Sequence, residues 1–505
     1  MLNLLILIPL LAAFGILLGA APRKTALIAG GAQLAIALLA FFGYDRAGDL
    51  FQYRTQFEVL PQYKLSYLLA ADGLSLLMLL LTGLVTLAAV WLTPKVEKRE
   101  NLFYACVLFI SAGAAGAFAA QDLFFFYAFH ELALIPTFLL IGLWGSGERF
   151  TAAWKITIYL ALGSFVLLIG IVALYQALPV AARTFDMIEL QQLAKSNPIP
   201  AAAQTLPFLL LFFGFGTLVS LVPFHSWAPS AYASAPAPAA MLHAGVLKKF
   251  GLYGLLRLVV PLLPAGRDAE LPIHVLGFDF TLHVQSLLLT LFLANILYIG
   301  LVTIAQRKLD LMLGYSSVMH MGYIFLGIVS LNIIGLSGAS LMMFAHGLSI
   351  AALFGMAGIL RERNRTLSFE SLGGVAKAMP FLGLVFGFAA FASIGLPGFA
   401  NFASEIMIFF GAYRNGPGTI DFSAFQLATI FSLWGVVISA VYMLRAYRSV
   451  FLGEPSPVVA GWTDPGPAQR WPVIMLVATL VIAGCAPQYF ISYLKPALEA
   501  LLSHS

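Results

Sequence analysis

The feature that most constrains the fold of this chain is a succession of apolar runs, each long enough to cross a bilayer as a helix. About fourteen such runs follow one another, and each approaches or exceeds the roughly 20 residues that a spanning helix needs. Backbone N–H and C=O groups inside a bilayer must bond within the protein, so continuous runs predict helices. The runs are residues 1–20, 25–44, 66–93, 101–119, 121–144, 152–178, 206–227, 237–263, 284–305, 308–330, 333–360, 376–412, 422–450 and 471–493.

The composition supports a membrane protein and argues against a nucleic-acid-binding protein. Hydrophobic residues make up 61% of the chain and charged residues 10%, whereas roughly a quarter of an ordinary soluble domain is charged. The runs are continuous and do not alternate as the strands of a membrane β-barrel do. Basic residues are spread over short loops and form no basic stripe, so we expect no nucleic-acid partner. The predicted fold is an all-α, polytopic membrane protein in a lipid bilayer.

The charges of the loops predict an orientation. Loops after odd-numbered runs hold fifteen of the 27 basic residues, and loops after even-numbered runs hold seven. Cytoplasmic loops are the ones enriched in Lys and Arg, so both termini are expected on the opposite, periplasmic side. Arg23 and Lys24 follow the first run instead of preceding it, so we interpret that run as a retained helix, not a signal peptide. The length and the lack of a transit peptide favour a bacterial inner membrane.

The chain lacks the sequence patterns of cofactor sites. It contains no G-x-G-x-x-G, no phosphate-binding Walker loop, no C-x-x-C and no haem-ligand pattern. Its two cysteines, Cys106 and Cys485, lie in separate apolar runs and are interpreted as small buried apolar residues. We therefore predict no redox, nucleotide or metal site on this chain, so any redox drive must come from partner subunits.

Ionisable residues inside the apolar runs are the candidates for function. Lys249 lies about twelve residues into its run, roughly 18 Å along a helix and so near the midplane of a bilayer. A lysine at that depth costs about 3 kcal/mol unless it is paired or hydrated. The other candidates inside runs are Lys248, Glu131, Glu405, His225, His243, His320 and His346.

These residue types suit a proton relay, although simpler explanations exist. Burial and neighbouring charges can bring the pKa values of Glu, Lys and His close enough for small changes to move protons. Alternatively, Glu131 and Lys249 form a static ion pair that fastens helices together, and His320 and His346 simply bond backbone carbonyls. Lys248 lies about 100° around the helix from Lys249, so the two cannot face one partner, and one of them can lie on the lipid or interfacial side.

Two interruptions of the runs are a second signal. Pro223 interrupts the seventh run, and Gly395, Pro397 and Gly398 interrupt the twelfth, which is too long for one straight span. Transporters built from inverted repeats place discontinuous helices at their binding sites. If runs 4–8 and 9–13 are the repeating units, each break falls in the fourth run of its unit. The predicted organisation is one membrane domain (1–505) with N-terminal helices (1–95), two inverted five-helix repeats (101–263 and 284–450), and a C-terminal helix and tail (471–505).

Six segments together resemble a known family. They are FHELALIPTFLLIGLWG (129–145), VPFHSWAPSAYASAP (222–236), HAGVLKKFGLYGLLR (243–257), GYSSVMHMGYIFLGI (314–328), FAHGLSIAALFGMAG (344–358) and SIGLPGFANFASEIMIFFGAY (393–413). In this order they are similar to the antiporter-like membrane subunits of respiratory complex I, from about residue 70 to 450. The branch that the chain resembles most is subunit M, or chain 4, because Glu405 stands where other branches typically carry lysine.

The resemblance implies a function and partners. The subunit would be part of an NADH:quinone oxidoreductase and would couple quinone reduction elsewhere in the complex to proton translocation. FMN, iron–sulfur clusters and quinone would sit on partner subunits, and other membrane-arm subunits would be its neighbours. The relay residues that the resemblance implies are Glu131 as the essential glutamate of the fifth helix, Lys249 as the central lysine of the eighth, Glu405 as the terminal residue, His320 and His346 as the link, and His225 as the histidine of the P-x-H motif.

One departure from the family concerns the partner of Glu131. The family pairs this glutamate with a lysine seven residues before the P-x-H histidine, and that position here is Leu218. Three interpretations follow. Lys248 or His130 replaces the lysine, with Lys248 preferred because it supplies the same charge; the complex is divergent, with altered coupling; or the subunit is structural and pumps no protons.

A competing function is a cation/proton antiporter, or a subunit of an ion-coupled transport complex of the same fold. That function would be favoured by a carboxylate or other cation ligand in the first half of the chain beyond Glu131. We identify none inside the apolar runs there, since Asp122 stands at the mouth of its run.

Overall fold

A computed structural model describes residues 1–275, 278–415 and 422–502, and most of them are helical. Eleven of the helices described are long and apolar enough to cross a membrane. The elements of the first half are α1 (Leu2–Leu17), α2 (Pro22–Phe42), β1 (Gln52–Leu60), β2 (Leu65–Ala71), α3 (Gly73–Leu92), α4 (Glu100–Ala119), α5 (Leu123–Trp144), α6 (Arg149–Ala177), α7 (Met187–Ser196), α8 (Ala201–Val219), α9 (Trp227–Ser234) and α10 (237–262).

The second half continues with further helices and one hairpin. Its elements are β3 (Glu270–Val275), β4 (Phe278–His283), α11 (Val284–Ala305), α12 (Leu309–Val329), α13 (Ile333–Arg363), α14 (Pro380–Ile394), α15 (Ala400–Tyr413), α16 (Ala424–Phe451), α17 (Pro467–Cys485) and α18 (Pro487–Leu502). Short helical turns lie at Pro61–Tyr63, Val180–Ala182, Pro264–Arg267 and Val375–Ala378.

Four helices form the centre of the molecule. α3, α4, α12 and α13 are buried along most of their length, whereas α5, α6, α11 and α16 expose one side. α13, with 31 residues, packs against α15, α12, α17 and α3. Large apolar side chains such as Phe165 on α6 and Trp434 on α16 face outward, as expected for helices that contact lipid or another membrane subunit. Residues on the inward sides therefore meet in a closely packed interior.

Side-chain caps fix where three of these helices begin. Asp72 accepts a hydrogen bond from Ser75 N at 2.9 Å at the start of α3, and Asn332 accepts one from Gly335 N at 3.0 Å at the start of α13. Asp122 accepts one from Phe124 N at 2.9 Å immediately before α5. Such caps satisfy N–H groups that the first helical turn leaves free.

Asp122 lies outside the spanning helix and its carboxyl group is fully buried. Burial raises the pKa of Asp122 to about 6, and the nearby carboxylate of Asp186 acts in the same direction. Backbone N–H groups, including that of Ser66, oppose this rise by bonding the carboxylate. Asp122 therefore titrates closer to neutral pH than an ordinary aspartate does.

Two antiparallel hairpins add strands to the predicted helical fold. β1 pairs with β2 between α2 and α3, and β3 pairs with β4 between α10 and α11. The predicted run 66–93 therefore begins as a strand, and its helix starts only at Gly73. Hairpin strands hydrogen-bond to each other, so these loops can hold regular structure outside the apolar runs.

The last predicted run, 471–493, is two helices. α17 ends at Cys485 and α18 begins at Pro487, because proline has no N–H to continue a helix but fits its first turn. α18 occupies most of the predicted C-terminal tail, up to Leu502, and Tyr493 stacks on Phe41 at 4.3 Å between ring centroids. The C-terminal helix is thus packed onto the N-terminal helices.

The prediction for the cysteines was right for one and wrong for the other. Cys106 is buried in α4, whereas Cys485 is exposed at the end of α17. The apolar run does not reveal this difference, because a spanning helix at the edge of a bundle is apolar on its outer side too.

Candidate functional site

The first helix break lies between α8 and α9, as Pro223 predicts. α8 ends at Val219, and Ser220 adopts the left-handed conformation with φ of 72°. Asn295 of α11 holds the break: its Oδ1 accepts a hydrogen bond from Val222 N at 2.8 Å, and its Nδ2 donates to Ser220 O at 3.2 Å. A single polar side chain thus satisfies backbone groups that the break leaves free.

The second break lies between α14 and α15 and holds Glu405 close by. α14 ends at Ile394, and Gly395 adopts the left-handed conformation with φ of 83°. A side-chain Cβ at this position would overlap the carboxylate of Glu405, which is 4% exposed. The absence of a side chain at Gly395 therefore makes room for a buried acid beside a helix end.

Lys249 is the centre of the polar interior. Its Nζ donates to Ala244 O at 2.6 Å and lies 3.0 Å from His346 Nδ1. The helix around Ala244 has π-type hydrogen bonding from His243 to Leu247, and such a widened turn lets a carbonyl accept from a side chain. The lysine is fully buried, and its ammonium has a carbonyl and an imidazole as partners.

Two histidines continue from Lys249 toward the second break. The His346 and His320 rings lie 5.5 Å apart between centroids. His320 Nδ1 lies 2.8 Å from Ser316 O, and His320 Nε2 lies 3.0 Å from Ser393 O, in the last turn of α14. Both ring nitrogens can donate only when the imidazole carries two protons. His320 thus links the lysine site to the helix end that adjoins Glu405.

Lys248 does not lie on the lipid side of its helix, although its position about 100° around the helix from Lys249 left that open. It is 1% exposed, because α10 is buried on every side from Pro238 to Leu262. Its Nζ donates to Ser317 Oγ at 3.3 Å and lies 5.4 Å from the ring centroid of Tyr232. As the helical spacing predicts, it has partners different from those of Lys249.

Glu131 meets His130 and not Lys248. Glu131 Oε1 lies 3.4 Å from His130 Nδ1 and accepts a hydrogen bond from Ser164 Oγ. Within the described part of the chain, His130 is the basic side chain in ion-pair distance of this carboxylate. Lys248, which the sequence favours as the substitute for the family lysine, donates instead to Ser317. Static pairing of Glu131 with Lys249 is likewise not observed.

His225 lies apart from the other seven candidate residues. It lies in the break between α8 and α9, and the described hydrogen bonds and ion pairs do not join it to them. Its buried Nδ1 has no hydrogen-bond partner among the described residues. The structure thus brings together Lys249, His346 and His320, and sets Glu131 with its histidine on the neighbouring helix.

A buried ion pair was missed by the sequence interpretation. Arg257 NH groups donate to both carboxylate oxygens of Asp72, at 2.6 Å in one of the two bonds, and both side chains are buried. Arg257 also donates to Ser75 Oγ at 3.0 Å, and Ser75 Oγ lies 2.8 Å from Tyr253 OH. The available signal was the spacing of Lys249, Tyr253 and Arg257, four residues apart and so on one face of a helix.

Comparison with known proteins gives consistent matches over the site and the fold. The family described as NADH:quinone oxidoreductase/Mrp antiporter, TM, matches residues 120–432. A curated relative from Microcystis aeruginosa, NAD(P)H-quinone oxidoreductase chain 4 2, is 36% identical over 464 residues, which are 90% of this chain and 80% of the relative.

Two solved structures share the fold over nearly their whole length. A chain of respiratory complex I from Thermus thermophilus with bound NADH superposes with a TM-score of 0.87 at 27% identity, covering 100% of this chain and 99% of that one. A chain of the Mrp complex from Dietzia sp. DQ12-45-1b superposes with a TM-score of 0.80 at 21% identity, covering 99% and 96%. At that lower identity the second match shows the fold alone.

Proposed function

The chain belongs to the NADH:quinone oxidoreductase/Mrp antiporter family of transmembrane proteins, and we propose that it is a proton-translocating membrane-arm subunit of a complex I-type NAD(P)H:quinone oxidoreductase. The observation that carries this proposal is the contact of Lys249 with His346 and the continuation to His320. A buried lysine is costly in a membrane and is characteristic of ion pathways. The chain acts as part of the enzyme complex and moves protons, not electrons.

We assign roles along this row of residues. Glu131 takes up the proton, Lys249 is the central proton carrier, and His346 and His320 pass the proton toward Glu405. The contacts of His320 support its place before Glu405, since it bonds the end of α14 that adjoins the Glu405 carboxylate. Lys248 modulates the charge of Lys249 from the adjacent position in α10.

His225 is assigned a separate role. Its Nδ1 is buried beside the first break without a hydrogen-bond partner among the described residues. A ring nitrogen without a partner can accept a proton, or a hydrogen bond from a water molecule. We propose that His225 completes the relay on that side through water.

The surroundings of the chain follow from the same proposal. It lies in a bacterial inner membrane with both termini on the periplasmic side, in contact with other membrane-arm subunits. Flavin, iron–sulfur clusters and quinone belong to partner subunits. Residues 101–263 and 284–450 are inverted repeats, an organisation supported by the left-handed residues, Ser220 and Gly395, that end the first part of each broken helix.

A cation/proton antiporter is the competing function, and no specific observation favours it. The match to the Mrp complex shows the fold alone, whereas the relative that is 36% identical is named as an oxidoreductase chain. Mild solubilisation of the native membranes, followed by identification of the proteins that migrate with this chain, distinguishes the two functions. We expect the chain to migrate with flavin and iron–sulfur absorbance and with NADH oxidation, whereas migration with a few small membrane subunits would identify an antiporter.

The role of Lys249 is tested by its replacement in the assembled complex. We expect Lys249→Met to lower proton translocation per quinone reduced, because methionine keeps the volume of the side chain but carries no proton. The measurement pairs the quenching of a pH-sensitive dye in membrane vesicles with the rate of quinone reduction. Lys495→Met, at an exposed lysine of α18, is the matched control. Unchanged translocation in Lys249→Met, with the complex assembled, would indicate a structural subunit.

A further inference from the structure

We propose that His130 is the proton-binding partner of Glu131, and that this histidine–glutamate pair controls proton transfer to Lys249. The inference rests on the proposed function and identifies the residue that replaces the lysine missing at position 218. It assigns a role to a side chain that neither the family match nor the named relatives single out.

The contact of the pair is the first support. His130 Nδ1 lies 3.4 Å from Glu131 Oε1, and Ser164 Oγ donates to that same oxygen. The His130 side chain is 6% exposed and that of Glu131 is 35% exposed. Since adjacent residues of a helix point in different directions, this contact requires the imidazole to turn toward the carboxylate.

The packing of the imidazole is the second support. The His130 ring stacks on Phe250 with centroids 4.1 Å apart and planes 19° apart. Phe250 is the neighbour of Lys249 in α10, so the stack joins the glutamate helix to the lysine helix. With Nδ1 directed at Glu131, Nε2 lies at the opposite edge of the ring. Imidazole can bind a proton at one nitrogen and release one from the other.

The third support is that both lysines have hydrogen-bond partners other than Glu131. Lys248 Nζ donates to Ser317 Oγ, and Lys249 Nζ bonds Ala244 O and His346. Neither ammonium forms an ion pair with Glu131 in the described part of the chain. Among the described residues, the basic neighbour of the Glu131 carboxylate is therefore His130 and not a lysine.

Position 218 supplies a way to test the role of the charge. Leu218 of α8 is buried, and its Cδ2 lies 3.3 Å from the place that a Cβ of Gly163 would take. Gly163 directly precedes Ser164, which bonds Glu131. A lysine at position 218 would therefore reach the region of this carboxylate from α8 and could supply the charge that His130 otherwise provides.

The experiment compares substitutions at position 130 in the assembled complex. We expect His130→Gln to lose proton translocation per quinone reduced to the same extent as Glu131→Gln. His130→Phe preserves ring stacking without a proton and is expected to lose translocation as well. The combination His130→Gln with Leu218→Lys is expected to recover it. His274→Gln, at an exposed histidine of β3, is the control.

Three results would overturn the role of His130. These are normal translocation in His130→Gln, normal translocation in His130→Phe, or failure of Leu218→Lys to recover the loss when quinone reduction shows that the complex is assembled. Failure of the underlying function has a different signature, because Lys249→Met would then pump normally. A complex that loses translocation with Lys249→Met but not with His130→Gln would retain the proposed function and refute only the histidine.

Discussion

At the scale of single residues, the two glycines of the second break differ in what surrounds them. Gly395 and Gly398 both adopt positive φ, of 83° and 97°, which residues with a side chain rarely do. A Cβ at Gly395 would overlap the carboxylate of Glu405, whereas a Cβ at Gly398 would meet nothing within 4 Å. A side chain would strain the backbone at both positions, but it would contact the Glu405 carboxylate only at Gly395.

Alanine substitutions separate these two effects. We expect Gly395→Ala and Gly398→Ala each to cost about 1–2 kcal/mol of stability, because both force an L-residue into a left-handed conformation. Only Gly395→Ala should also lower proton translocation, since it displaces the Glu405 carboxylate. Thermal unfolding in detergent and dye quenching in vesicles measure the two quantities. Equal translocation in the two variants would argue against a role for Glu405 at the break.

At the scale of helices, the buried pair of Asp72 and Arg257 joins the start of α3 to α10. The side chains are 185 residues apart in the sequence, and both are within 1% of full burial. Two parallel hydrogen bonds from a guanidinium to a carboxylate fix orientation as well as distance. The pair therefore holds the helix that carries Lys249 against the core.

Removing one partner of this pair should be strongly destabilising. We expect Arg257→Met to lower the free energy of unfolding by about 3–5 kcal/mol, because it leaves the Asp72 carboxylate buried without a counter-charge. The double variant with Asp72→Asn should recover much of the loss. Equilibrium denaturation in detergent measures both. Glu499→Gln, which breaks the exposed pair with Lys495, is expected to change stability by less than about 1 kcal/mol.

At the scale of the whole molecule, the loop charges predict which side of the membrane each helix end faces. Cys485 ends α17 and is exposed, whereas Cys106 is buried. Because Cys485 lies on the outer side of a spanning helix, the label is placed at Lys495, an exposed residue of α18. We expect a membrane-impermeant maleimide to label the variant Lys495→Cys with Cys485→Ser from the periplasmic side, because the loop before α17 belongs to the basic set that the loop charges predict to be cytoplasmic.

Labelling is compared in intact spheroplasts and in inverted vesicles. Cys485→Ser provides the blank, and labelling of the solubilised chain verifies that the thiol reacts. Reaction in inverted vesicles alone would mean that the orientation is reversed.

The membrane class, the helical fold and the family follow from the sequence by itself, and so do both helix breaks. Each depends on properties of a single segment. An apolar run of spanning length becomes a helix in lipid because its backbone has no other partners, and proline or glycine weakens a helix at its own position whatever packs beside it. The expectation of a buried Cys485 was wrong, and both its burial and the partner of Glu131 depend on which segment lies beside which.

Only the tertiary structure decided the partners of the buried ionisable groups. Lys249 meets His346 across 97 residues of sequence, and Lys248 turns to Ser317 because α10 is enclosed on all sides. Glu131 lies beside His130, its own neighbour, while the imidazole stacks on Phe250 of α10. In an interior of low dielectric constant a charge interacts strongly with the groups around it, and the packing of distant helices determines which groups those are.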